Sequence, residues 1–161
     1  MLNFYDFYNK TGLDKEEYSP LIDQLMCGVY MKELELIEHI IMKDPEYSYY
    51  YAKKIINGRW SKSEEVIMKD SDVAYRYALY VIKGRWYEAE EYIMESPSCA
   101  YYYAKNVIKG RWEEAEHYII KDQYYVLLYA KNVIKGRWVE AELIIKEDVY
   151  WWSAYCHEFG V

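Results

Sequence analysis

The tripeptide Gly-Arg-Trp begins at Gly58, Gly84, Gly110 and Gly136, each 26 residues after the last. Around it the copies read Y-A-x-x-[IV]-I-[KN]-G-R-W-x-[EK]-[AS]-E-x-[VYI]-I, without one insertion. A short period held that strictly confines the chain to an array of like units, each burying its apolar face on its neighbours. A degenerate copy precedes the four, since EHIIMKDP at 38–45 aligns with EEVIMKDS at 64–71, and a truncated copy follows from Val149. The array is therefore expected to run from about Pro20 onward. Its divisions are an acidic N-terminal cap with the degenerate first repeat (1–44), four regular repeats (45–148) and a short capping helix (149–161).

Each unit reads as two short helices. Asp44, Asp70, Ser96, Asp122 and Asp148 recur at one column, where a short polar side chain caps a helix N-terminus, and Pro45 and Pro97 follow at the position that suits proline. Helix A then runs about twelve residues and is expected to stop at the recurring glycine in a left-handed conformation. Helix B is expected to start at the Trp and last two to three turns. In helix A, Ala100, Tyr103, Ala104, Val107 and Ile108 form an apolar stripe, and in helix B Trp112, Ala115 and Ile119 form the opposing one. The fold class is thus all-α: an αα-hairpin solenoid of about five two-helix repeats, with a concave and a convex face.

Fixed columns serve that packing. Trp60, Trp86, Trp112 and Trp138 belong to the repeat core. Arg59, Arg85, Arg111 and Arg137 sit at the N-terminal end of helix B, an unfavourable place for a cation unless a carboxylate or hydroxyl holds it. Glu64, Glu90, Glu116 and Glu142 are the candidates, and an Arg–Glu ladder tying units together is expected.

The string KGRWxEAE, present as KGRWYEAEEYI, KGRWEEAEHYI and KNVIKGRWVEAE, resembles tandem-repeat proteins encoded by large tailed bacteriophages. The likeness covers roughly residues 45–148, with Asn57 and Ser63 departing from the motif. It implies phage origin and expression in a bacterial cytoplasm, and it raises host-directed work, above all neutralising a defence protein.

Charge and chemistry narrow the function. The chain has a net charge of −7, of which residues 1–44 carry −5 from nine acids and four bases. An acidic protein does not hold phosphodiester backbones by bulk charge, which disfavours nucleic acid as a partner. No apolar run reaches the ~20 residues of a membrane span, and acids stand where a secretory leader needs a basic stretch, so a cytoplasmic protein is expected. Cys27, Cys99 and Cys156 form no pairing motif, and His39, His117 and His157 fall at different columns. No catalytic set, metal site or cofactor is expected, because residues repeated in every unit are explained by the fold.

Columns that vary between units are free of packing duty. On the outer face of helix A they hold Tyr47, Tyr50, Arg76, Tyr80, Tyr102, Tyr124, Tyr125 and Trp151. Tyr, Trp and Arg dominate the energetics of protein interfaces, so this ridge is the expected partner surface. The function expected is a protein-binding scaffold, most directly a phage product that inhibits or sequesters a bacterial host protein. The alternatives are a sink for a nucleotide-like signal held between units and an acidic mimic of DNA. The last unit is expected to be closed by Trp151 and Trp152, with a homo-oligomer through a terminal repeat as the alternative.

Overall fold

The computed structural model describes residues 38–161, and all the regular structure among them is helical. Cys27, the start of the array near Pro20 and most of the acidic cap lie outside the described residues. Helix A of the four units begins as α1 (Pro45–Tyr51), α3 (Ser71–Tyr77), α5 (Pro97–Tyr103) and α7 (Gln123–Tyr129). Helix B contains α2 (Glu64–Ile67), α4 (Glu90–Met94), α6 (Glu113–Ile119) and α8 (Glu142–Ile145), and α9 (Val149–Phe159) ends the array. Each helix A packs on the helix A of the next unit and on the helix B beside it, the arrangement of an αα solenoid.

The aspartates of the recurring column start these helices as expected. Asp44, Asp70, Asp122 and Asp148 each accept backbone N–H groups of the first turn. Ser96 does not; its hydroxyl meets that of Ser98 at 3.0 Å instead.

Helix A ends differently from the expectation. After seven α-helical residues each full unit widens into a five-residue π turn: Ala52–Ile56, Ala78–Ile82, Ala104–Ile108 and Ala130–Ile134. The residue in the left-handed region is the one before the glycine: Asn57 (φ 55°), Lys83 (61°), Lys109 (60°) and Lys135 (60°). That residue and the glycine after it both donate to the carbonyl of the alanine that opens the turn, as Lys109 and Gly110 do to Ala104. The four glycines themselves have no left-handed φ and open space where a Cβ would stand, so nothing in the structure explains their recurrence.

The apolar stripes meet as read. Ala100, Tyr103 and Ala104 from helix A and Trp112, Ala115 and Ile119 from helix B are fully or almost fully buried, and their counterparts recur along the core. Within each unit the helix A tyrosine packs on the Trp, with centroids 4.7 Å apart for Tyr51–Trp60 and 5.0 Å for Tyr103–Trp112.

The polar ladder is built otherwise than expected. Arg59, Arg85, Arg111 and Arg137 each fork onto a glutamate of the same unit, five residues on: Glu64, Glu90, Glu116 and Glu142, at 2.6–2.9 Å. The link between units is a tyrosine hydroxyl. Tyr77, Tyr103, Tyr129 and Tyr155 each accept the backbone N–H of the preceding unit's Trp at 2.6–2.7 Å. Tyr77, Tyr103 and Tyr129 then donate to Glu64, Glu90 and Glu116 at 3.0–3.2 Å. The degenerate first repeat joins the same system, since Glu38 accepts from Tyr51 and is held by Lys62 of the following unit.

This network makes stability depend on pH. The Arg59 fork, first, and the Tyr77 hydroxyl hold the Glu64 carboxyl below its ordinary value against the cost of burial, and Arg137 does the same for Glu142. In the acid range the unfolded chain then binds protons that the folded chain refuses, so stability rises with pH there. The contribution is complete above the ordinary carboxylate value and is lost as pH falls through the lowered one. Denaturant unfolding between about pH 3 and 6 should therefore show an acid limb that flattens in a Glu64→Gln, Glu142→Gln variant. An unchanged limb would mean these carboxyls titrate alike in both states.

Within the last described helix, the rings of Trp152, Tyr155 and Phe159 pack together. α9 stays α-helical for all 11 residues and ends at Gly160 with φ 68°. Tyr155 is fully buried because Phe159 packs on it at 4.6 Å and Trp152 stacks at 5.7 Å. Of the two tryptophans expected to close this unit, Trp152 stacks on Tyr155 and Trp151 turns to the neighbouring unit's Tyr124.

Candidate partner-binding ridge

Successive helices A and α9 project side chains from one edge of the stack, and there the rings touch across unit boundaries. Tyr75 stacks on Tyr102 at 6.2 Å; Tyr102 meets Tyr125 at 6.5 Å; Tyr125 packs on Tyr124 at 5.0 Å. Tyr124 continues to Trp151 at 5.5 Å, and Trp151 to Tyr150 at 4.9 Å. Tyr102 and Tyr124 are about 40% exposed and Tyr150 is 72% exposed, so the strip is continuous and open to solvent. Sequence reasoning found its Tyr102, Tyr124, Tyr125 and Trp151 and missed Tyr75 and Tyr150.

The other candidates gather at the first two units. Tyr47 and Tyr50 are half-buried on α1, with Tyr50 packed on the buried Tyr49 at 5.1 Å. Lys53 sits over the ring of Tyr80 at 4.0 Å, and Tyr80 is half exposed. Arg76 is differently employed from a free contact residue. It forks onto Glu46 of the preceding unit, bonds Asp72 at 2.8 Å and lies 4.9 Å over the Tyr49 ring. Those partners raise its pKa further above an already high value, the Glu46 bonds most. Burial pushes the Tyr49 phenol up to about 12, with Arg76 pulling the other way. Arg76 is thus a clamp between units 1 and 2, leaving the rings as the open part of the surface.

Half-buried hydroxyl–amide pairs tie the strip to the following units. The hydroxyls of Tyr75 and Tyr101 accept from the amides of Asn106 and Asn132, each 31 residues on, at 2.8 and 3.0 Å. These pairs fix the spacing of the units that carry the exposed rings. Their signal in the sequence is a separation of one period plus five.

Chemically the ridge offers ring faces, phenol hydroxyls and the Trp151 indole. Among the described residues no three His, Cys, Asp or Glu side chains come together as metal ligands, and no helix is long and apolar enough to cross a membrane. Cys99 is buried, and its thiol is pushed above its ordinary value by that burial. The fold and the ridge together place the chain in the class of αα-hairpin repeat arrays with a ring-lined edge. No family model, curated protein or solved structure matches it.

Proposed function

We propose that this protein is a non-enzymatic binding scaffold whose ring strip, Tyr102, Tyr124, Tyr125 and Trp151 with Tyr75 and Tyr150, docks one face of a partner protein. The observation that carries the reading is that the strip runs unbroken across unit boundaries while all its rings but Tyr75 occupy columns the repeat does not fix. Rings immobilised by one another lose little freedom on binding, so their burial converts efficiently into affinity. The likeness to phage tandem-repeat proteins supports a bacterial cytoplasmic partner, and inhibition or sequestration of a host defence protein is the role proposed. A DNA mimic fits this face poorly, because Glu46 and Asp72 beside the ridge are both bonded to Arg76, which leaves the three with a net charge of only −1.

Affinity capture from bacterial lysate with the wild-type chain should return a stoichiometric partner. Tyr102→Ala, Tyr124→Ala and Trp151→Ala should each leave the helical signal intact, and at least two of them should weaken that complex by ~2 kcal/mol or more, since few residues carry most of the binding energy. A partner held equally by the triple variant would move the interface to helix B or to a terminus.

A further inference from the structure

At the other end of helix A, where each unit turns from its π turn into the Gly-Arg-Trp loop, the third and fourth units enclose a cleft of about 270 Å³. Lys105, Lys109, Gly110, Asn132, Val133 and Lys135 line it, so three lysines and no acidic residue make up its wall. This stands out in a chain of net charge −7. Helix C-termini favour lysine through the helix dipole, which accounts for a single cation such as Lys83 at the equivalent turn of unit 2. It does not account for three lysines of two units lining one cleft.

The other junctions show what makes this one different. At the first, Asn57 stands in the column of Lys109, and Lys53 is covered by the Tyr80 ring. At the second, Leu79 replaces the lysine of the Lys105 column. At the last, the column of Asn132 holds Glu158, and Lys131, the counterpart of Lys105, bonds its carboxylate at 2.7 Å. The chain itself thus supplies an anion at the fourth junction. At the third it supplies Asn132 instead, whose amide is spent on Tyr101 and the Leu128 carbonyl. Lys105 is held in place there by a 3.1 Å bond to the same Tyr101 hydroxyl, leaving two of its N–H groups to offer. Lys109 and Lys135 stand at the left-handed position that Asn57 and Lys83 hold in the other units.

We propose that the cleft binds a compact phosphate-class anion: pyrophosphate or the phosphoryl end of a small phosphomonoester. Three lysines act as point charges on its oxygens through charge-assisted hydrogen bonds. The volume lies just below the ~300–1,000 Å³ of pockets that enclose drug-sized ligands, which fits the phosphoryl group rather than a whole nucleoside triphosphate. The site is separate from the ring strip and stands whether or not the strip binds a protein.

The test uses the full chain and substitutions the array already tolerates: Lys105→Leu, as at Leu79, with Lys109→Asn and Lys135→Asn, as at Asn57. Circular dichroism should match the wild type. Calorimetric titration at low salt with pyrophosphate should give saturable binding of one ion per chain, weakened at least about tenfold, or 1.4 kcal/mol, in the triple variant. Lys83→Asn, which removes the same charge from a junction lacking the cluster, should leave affinity within about twofold, a difference of well under 1 kcal/mol. Tighter binding of adenosine monophosphate than of pyrophosphate would assign the site to phosphomonoesters, and the reverse to the inorganic ion. Absence of saturable binding by the wild type, or equal loss in Lys83→Asn, overturns the proposal.

Discussion

Trp112→Ala should lower stability by ~3–5 kcal/mol, the range for large aromatic truncations in packed cores, and should part unit 4 and α9 from units 1–3. The ring is 2% exposed, packs on Tyr103 at 5.0 Å, and sits where units 3 and 4 meet. Its backbone N–H, which bonds the Tyr129 hydroxyl, survives the change, so the loss is one of packing and of the cavity left behind. The indole N–H is buried without an acceptor and contributes nothing that alanine forfeits. Trp112→Phe should for that reason cost clearly less than the alanine change. Hydrogen exchange is the decisive readout, because stability in an array is a sum of unit and nearest-neighbour terms. Protection should fall most on both sides of the third junction and least at the buried Ile41. A folded Trp112→Ala variant that has lost only partner binding would show that these rings face a ligand.

Much of this architecture is legible in the residues, and the exceptions have physical causes. The period, the capping aspartates and the two apolar stripes are local or strictly repeated signals, and each appears where it was read. The end of helix A is misread by one residue because glycine is the usual left-handed residue, while lysine has no such preference. What sets the site is the wide turn, whose alanine carbonyl collects two N–H groups, and nothing in Y-A-x-x-[IV]-I announces a π turn. The arginine ladder is misread because a five-residue spacing that crosses from loop into helix is not a neighbour relation of any regular helix.

The ridge was visible as variation and the clamp within it was not. Arg76 looks like a contact residue until Glu46, one period and four residues earlier, is seen holding it. The basic cleft was hidden for the opposite reason. Lys109 and Lys135 repeat with the motif and read as helix-end cations, and only the junction-by-junction comparison of Leu79, Asn132 and Glu158 sets them apart. One further signal lay in plain view: the column of Tyr51, Tyr77, Tyr103, Tyr129 and Tyr155 never becomes Phe, in a core where Phe would pack equally well. A column that keeps a hydroxyl inside a core is using it.

Tyr103→Phe isolates that use. The ring is fully buried, and its packing on Trp112 is untouched by loss of one oxygen. The hydroxyl, however, accepts the Trp86 N–H at 2.7 Å and donates to Glu90 at 3.0 Å. Phenylalanine leaves the Trp86 N–H buried with no acceptor and removes a neutral donor from a carboxylate that keeps only its Arg85 fork. Burial, with the Glu90 charge behind it, holds the Tyr103 phenol above its ordinary value, so it remains protonated and a donor throughout the working range. An orphaned buried donor costs about 1–3 kcal/mol and a hydrogen bond to a charged group about 1.5–3, and since the two share one atom the expected loss is about 2–3 kcal/mol. Tyr102→Phe is the control: its neighbouring ring is exposed and its loss should stay within ~0.5 kcal/mol. The double variant Tyr103→Phe, Glu90→Gln should cost less than the sum of the single changes, because both break the same bond. The position in the array predicts where the damage appears: Tyr103→Phe should open units 2 and 3 to exchange, whereas Tyr155→Phe, at the last junction, should release α9 alone. Equal and small effects at Tyr102 and Tyr103 would show that the column is kept for its rings, and that the units are joined by packing without the hydroxyl.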